Sequence, residues 1–223
     1  MELNYKLSEL VGIIIGDGCL YNRKGNYLIL ISGNIKEDKK YYKNISRFIF
    51  KTINKQPTIK IHQRALRLII KNKNFFNFFY EHLEMKYHGD KTYKVIIPSL
   101  VLENVGFTKA CLRGIVDTDG SVFTSDKPGS PNYPSIEITT VSKSLAFQIK
   151  DILKKLEYRV TLRWYDPKND VQVRTYKIGL NGWLMLRKWY NDIGFSHPLK
   201  RSLAEKILER KYDGAGVNIP TAN

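Results

Sequence analysis

Two apolar runs with glycines at helical spacing organise the chain. Residues 10–18 read LVGIIIGDG, and residues 112–120 read LRGIVDTDG. Gly12 and Gly16 stand about one helical turn apart, as do Gly114 and Thr118 in the second run. A glycine inside a helix costs about 1 kcal/mol relative to alanine, so its recurrence asks for a compensating reason. Small residues on one face supply it, because they let two helices approach until their backbones nearly touch.

Downstream of each run the period changes in the same order. KKYYKNISRFIFKTI puts Ile45, Phe48 and Ile49 on one helical face, and SKSLAFQIKDILKKL does the same with Leu145, Ile149, Ile152, Leu153 and Leu156. Alternating segments then predict strands: TIKIHQ and ALRLIIK in the first half, RVTLRWY and VQVRTYKI around the turn DPKND in the second. NKNFFNFFYEHLEM and NGWLMLRKWYNDI close the halves as helices with aromatic core stripes. ISGNIKED at 31–38 aligns with ITTVSKSL at 138–145, and the Pro/Gly/Ser-rich TSDKPGSPNYPS reads as a long loop where the first half has only YNRKGN.

The predicted order in each half is helix, two strands, helix, two strands, helix, an α+β arrangement. The halves divide into 1–106, with the apolar connector HGDKTYKVIIPSLVLENVGF, and 107–223, with a C-terminal helix and tail. Two long repeats are too few for a solenoid. They predict a pseudo-dimer in one chain, related by a pseudo-two-fold axis, with Gly12, Gly16, Gly114 and Thr118 at the helix interface.

Charge narrows the partner. Thirty-seven Lys and Arg against 21 Asp and Glu give +16, which favours a polyanion such as nucleic acid. Cys19, Cys111 and the scattered His62, His82, His88 and His197 lack zinc-site spacing, so the cysteines are expected as buried free thiols. Neither a leader peptide nor a membrane-length apolar run is seen, so a cytoplasmic protein without a membrane partner is expected, or an organellar one if it is encoded there.

At the foot of a close helix pair, Asp17 and Asp119 would face each other across a narrow gap. Two such carboxylates repel unless cations bridge them, and hard oxygen ligands suit Mg²⁺, which points to metal-supported phosphoryl transfer. An EF-hand is excluded, since DTDG places its glycine fourth rather than sixth. No G-x-x-x-x-G-K-[ST] string occurs, so a nucleotide-hydrolysing motor is not supported.

The two runs resemble the paired motifs of the LAGLIDADG homing endonucleases, in their single-chain, double-motif branch, over about Leu7 to Leu208. The resemblance implies two tandem αββαββα units, motif helices at the interface, and a saddle of two antiparallel sheets in the DNA major groove. It implies that Asp17 and Asp119 are the catalytic, metal-binding acids, one per strand, with Gly16 and Thr118 beside them at the metals. The cofactor would be Mg²⁺, with Mn²⁺ as a substitute and Ca²⁺ supporting binding without cleavage. The partner would be double-stranded DNA with a long target site, bound by a monomer in intron homing. Ile15 replaces the motif's first acid, which Asp117 keeps. Asn34, Lys36, Thr140 and Lys143, near strand ends, are candidate accessory polar residues. A non-cleaving relative, either an RNA maturase acting on host intron RNA or a DNA-binding regulator, is the alternative.

Strand alternation gives a second line of argument. Lys60 and His62 oppose Ile59 and Ile61, while Thr161, Arg163 and Tyr165 oppose Val160, Leu162 and Trp164. With Arg23, Lys24, Arg67, Glu137, Thr139, Gln172 and Arg174, these donors and acceptors make a surface suited to base edges and phosphates.

Overall fold

The computed structural model describes residues 1–86, 91–167 and 173–214. Helix α1 (Tyr5–Gly16) leads into the hairpin β1 (Gly18–Arg23) and β2 (Asn26–Gly33), helix α2 (Lys39–Ile53) and the hairpin β3 (Thr58–His62) and β4 (Ala65–Lys71). The predicted aromatic helix follows as α3 (Lys73–Asn77) running into a π-helical turn over Phe78–His82. Short helices α4 (Lys91–Lys94) and α5 (Ser99–Leu102) lie within the connector. The order then recurs: α6 (Val105–Asp119), β5 (Gly120–Lys127), β6 (Ser130–Thr140), α7 (Lys143–Lys155), β7 (Val160–Tyr165), β8 (Thr175–Asn181) and α8 (Trp183–Asp192), with α9 (Pro198–Gly214) at the end. Among the described residues no helix is long and apolar enough to cross a membrane.

Each half folds its four strands into one antiparallel sheet, in the orders β1-β2-β4-β3 and β5-β6-β8-β7. Alternation assigns the faces. Ile29, Ile31, Leu68 and Ile70 in the first sheet, and Ile136, Ile138, Ile178 and Leu180 in the second, are buried on the inner side. The intervening positions form an outer face that meets solvent.

The glycine helices pack against each other as their spacing predicts. A Cβ on Gly12 would stand 2.9 Å from both the Cys111 carbonyl carbon and the Ile115 nitrogen, and one on Gly114 would stand 2.9 Å from the Ile13 nitrogen. The two helices also start alike. Asn4 Oδ1 accepts from the amides of Lys6 and Leu7 at 3.0 Å each, and Asn104 Oδ1 accepts from the Phe107 amide at 3.1 Å.

The halves also clasp each other away from this seam. The connector crosses to α7, where Gln148 bonds both backbone groups of Ile97 at 2.7 and 3.0 Å and Ser142 Oγ donates to the Val95 carbonyl at 2.9 Å. On the other side His197 Nε2 lies 2.8 Å from Oδ1 of Asp38, the residue that opens α2. In each case the residue heading one half's second helix receives a segment that follows the other half's last helix.

Several expectations need correction. TSDKPGSPNYPS is no loop but an extended β5–β6 hairpin with an irregularity between Ser125 and Lys127. Its Pro131 and Pro134 are tolerated because β8 pairs with β6 only from Ser135 onward, so neither proline removes a bond from that ladder. The alignment of 31–38 with 138–145 holds along the strands only, since Asn34–Asp38 form an extra turn and the helices open at Asp38 and Ser142. Cys111 is buried, but Cys19 is exposed on the outer face of β1. Ile61 and Trp164, expected to pack inward, are 62% and 55% exposed, both on the edge strands β3 and β7, which have a neighbouring strand on one side only.

Candidate active site and nucleic-acid interface

Asp17 caps α1 and Asp119 ends α6, so the two motif helices deliver both carboxylates to one end of the seam. Gly16 makes room for this. A Cβ there would collide with the Thr118 side chain and stand 3.3 Å from the Asp119 carboxyl carbon. The carboxylates open into two separate hollows, each completed by the other half. Asp17 shares one with Asp117 and Thr118, and Asp119 shares the other with Ile15 and Gly16. Each acid therefore lies beside the residue that precedes the opposite acid.

The hollows differ in chemistry at related positions. Beside Asp17 stand the acid Asp117 with His197 and Lys200, whereas beside Asp119 the corresponding wall has Ile15 and Val95. Lys200 Nζ donates to the carbonyls of Val116, Asp117, Thr118 and Gly120 at 2.6–3.2 Å and so closes the end of α6. Burial pulls its pKa down, against the opposing charges of Asp117, Asp17, Asp38 and Asp119. Burial likewise pushes Asp117 up to about 7, although the Ser196 amide donates to its Oδ2 at 2.8 Å. The His197 amide also donates to that oxygen, at 3.1 Å. Among the described residues Asp117 Oδ1 and His197 Nδ1 are buried without hydrogen-bond partners.

Among the described residues no three His, Cys, Asp or Glu side chains gather into a metal cage. The available donors among these residues are instead carboxylates, Asp119 alone in its hollow and Asp17 with Glu37, Asp38 and Asp117 in the other, an all-oxygen set. That set fits Mg²⁺, which is commonly held by one or two carboxylates plus water and substrate phosphate. On the Asp17 side the Thr118 carbonyl already accepts from Lys200 at 3.2 Å.

Of the proposed accessory residues, Asn34 lines the Asp17 hollow and Thr140 the Asp119 hollow. Asn34 Oδ1 accepts from the Lys36 amide at 2.8 Å, and Thr140 Oγ1 from the Ser142 amide at 3.1 Å, so both also shape turns. Lys36 and Lys143 are exposed and line neither hollow.

The outer faces of the sheets hold most of the remaining candidates. Lys60 pairs with Arg67 across β3–β4, and His62 stands at the end of β3. Arg23 ends β1, and Lys24 sits in the hairpin turn with φ 51° ahead of Gly25 at φ 76°. On the second sheet Arg163 and Thr139 both face Lys177, whose Nζ bonds Glu137 Oε1 at 2.7 Å. Arg174 departs from expectation: it precedes β8, and its guanidinium is held by Asp166 at 2.6 Å. Gln172 lies outside the described residues.

Sequence reasoning missed Lys177 and Lys200. Lys177 lay in a segment read only as a strand. Lys200 could have been found by setting IPSL at 97–100 against HPLK at 197–200, two segments with a shared proline that each follow the last helix of a half.

Residues 106–180 match the family model of the LAGLIDADG-like domain. The homing endonuclease I-DmoI in complex with DNA and Mn is 22% identical with a TM-score of 0.59, over 85% of this chain and 96% of that one. Its complex with DNA and Ca gives a TM-score of 0.62 at 20% identity, over 91% and 97%. The homing endonuclease I-WcaI bound to its DNA recognition sequence gives 0.58 at 19% identity, over 89% and 84%. Full-length DUF199/WhiA from Thermatoga maritima gives 0.55 at 14% identity, over 96% of this chain and 62% of that one. No curated protein sequence is significantly similar. The chain thus matches the LAGLIDADG-like domain over residues 106–180 and has, over most of its length, the fold of the homing endonucleases I-DmoI and I-WcaI.

Proposed function

We propose that this protein is a sequence-specific DNA endonuclease that makes a double-strand break, acting as a monomer with Mg²⁺ on a long target site. The observation that carries the reading is the pairing of Asp17 and Asp119 at the foot of the glycine-packed helices, each in a hollow completed by the opposite half. The solved complexes of I-DmoI and I-WcaI with DNA, and those of I-DmoI with Mn, Mg and Ca, support it.

In this reading the outer faces of the sheets bind the duplex, with Lys60, Arg67, Arg163 and Lys177 set for phosphates and base edges. Asp17 and Asp119 would each hold a divalent cation together with the backbone carbonyl of Thr118 or Gly16. When bound, such a cation polarises the scissile phosphate and lowers the pKa of water. The rigid seam holds the two carboxylates at a fixed separation, so both strands are presented without rearrangement. Lys200 orients the end of α6 that carries Asp119.

The test is a supercoiled plasmid carrying a site selected from a randomised duplex library. Parent protein with Mg²⁺ should give linear product. Asp17→Asn and Asp119→Asn should each abolish it while binding persists, since charge is removed and shape kept. A parent that binds the selected site but gives no product with Mg²⁺ or Mn²⁺ would establish the non-cleaving alternative.

A further inference from the structure

The outer faces of the two sheets correspond position by position yet differ in polarity. In the first sheet one transverse row runs Cys19–Leu30–Ile69–Thr58 across all four strands. Its counterpart in the second sheet is Ser121–Glu137–Gly179–Thr161. The adjacent row in the first sheet, Tyr21–Leu28–Lys71, adds a further apolar pair.

These apolar groups do not belong to the core. Leu28, Leu30 and Ile69 are only half-buried, while their sequence neighbours Ile29, Ile31, Leu68 and Ile70 are buried at 1% exposure or less. Alternation therefore turns Leu28, Leu30 and Ile69 outward, onto the face away from the core. Cations ring the patch: Arg23 at the end of β1, Lys71 opposite Leu28, and the Lys60–Arg67 pair. Among the described residues no carboxylate shares that outer face.

An apolar centre within a cationic rim fits a duplex whose phosphates meet the rim and whose groove floor is itself apolar. The one apolar group on the floor of the major groove is the thymine C5-methyl. We propose that the first sheet reads its half of the target through thymine methyl contacts at Leu28, Leu30 and Ile69, while the second sheet reads its half by hydrogen bonding. This rests on the DNA-binding reading above and adds a base preference to one half of the site.

The experiment begins with duplexes selected from a randomised library by the parent protein and by Leu30→Ser. Positions where the variant relaxes the parent's choice mark the half under the first sheet, and they should be thymine. Thymines in each half of the selected duplex are then replaced by deoxyuridine, which removes only the methyl. In the marked half each lost contact should weaken binding about fourfold, the equivalent of one buried methyl group. The same replacement in the other half should leave affinity nearly unchanged. Leu30→Ser and Ile69→Thr should lose this sensitivity while keeping the parental melting temperature. A parent that binds deoxyuridine and thymidine duplexes equally overturns the proposal and leaves DNA binding intact, and failure to select any duplex overturns both. A DNA-free dimer in sedimentation that Leu30→Ser dissolves would assign the patch to a second copy and also overturn it.

Discussion

The backbone nitrogen of Ile115 lies 2.9 Å from the point where a Cβ on Gly12 would stand, and that of Ile13 lies equally close to the corresponding point on Gly114. Neither obstacle is a side chain that could swing away. Alanine in a helix gains about 1 kcal/mol over glycine, but overpacking a tight site costs typically 1–3 kcal/mol, and here backbone must move. Gly12→Ala and Gly114→Ala should therefore each lower the melting temperature. A rise in either variant would show that the helices are not in close contact.

Lys200 and Asp117 form one buried charge cluster at the end of α6. Lys200→Met removes a donor from the carbonyls of Val116, Asp117, Thr118 and Gly120, leaving Val116 with the Gly120 amide, at an expected cost of about 2–3 kcal/mol in urea unfolding. Part of that cost comes from Asp117, left without its cation, so the same substitution should cost less in an Asp117→Asn background. Additive costs would show that the two groups do not interact.

Arg163 and Arg174 were alike in sequence and are unlike in place. Arg163→Ala should weaken duplex binding by about 1–3 kcal/mol. Arg174→Ala should change it by less than about 0.5 kcal/mol, because Asp166 already holds that guanidinium at the surface. Fluorescence anisotropy over a salt series measures both. A shallower dependence of log affinity on log salt for Arg163→Ala identifies a phosphate contact, and an unchanged slope a base contact.

The two cysteines should separate cleanly in alkylation. Burial pushes the Cys111 thiol well above its ordinary pKa, and the thiolate is the reactive form. In the folded protein a maleimide should modify Cys19 alone, and in urea both. Because Cys19 borders the apolar row of the first sheet, bound DNA should slow its labelling. Modification of native Cys111 would mean that the helix seam opens in solution.

The repeat, the helix seam and the placement of Asp17 and Asp119 were legible because each depends on local signals: glycine spacing, amphipathic period and an Asp-Gly step. The strands were legible where one face is buried, and misread at the edge strands, where Ile61 and Trp164 lie exposed. The β5–β6 hairpin was hidden by its prolines, which mark a loop unless the missing partner strand is known. Lys200 and His197 were missed for another reason. Their partners lie about 80 and 160 positions away in the chain, so no local pattern encodes the contacts, and only the alignment of HPLK with IPSL marks the segment.

The seam between α1 and α6 also sets a schedule. Its two sides are separated in the chain by almost the whole of the first half, from Tyr5–Gly16 to Val105–Asp119. At ribosomal speeds of roughly 5–20 residues per second, α1 waits on the order of 5–20 s for its partner. During that interval the face of Gly12 and Gly16, which meets Cys111, Ile115 and Thr118 in the finished molecule, lacks its partner. A neighbouring nascent chain on the same message offers an identical small-residue face, so slow translation of the second half favours entangled pairs over correctly closed single chains.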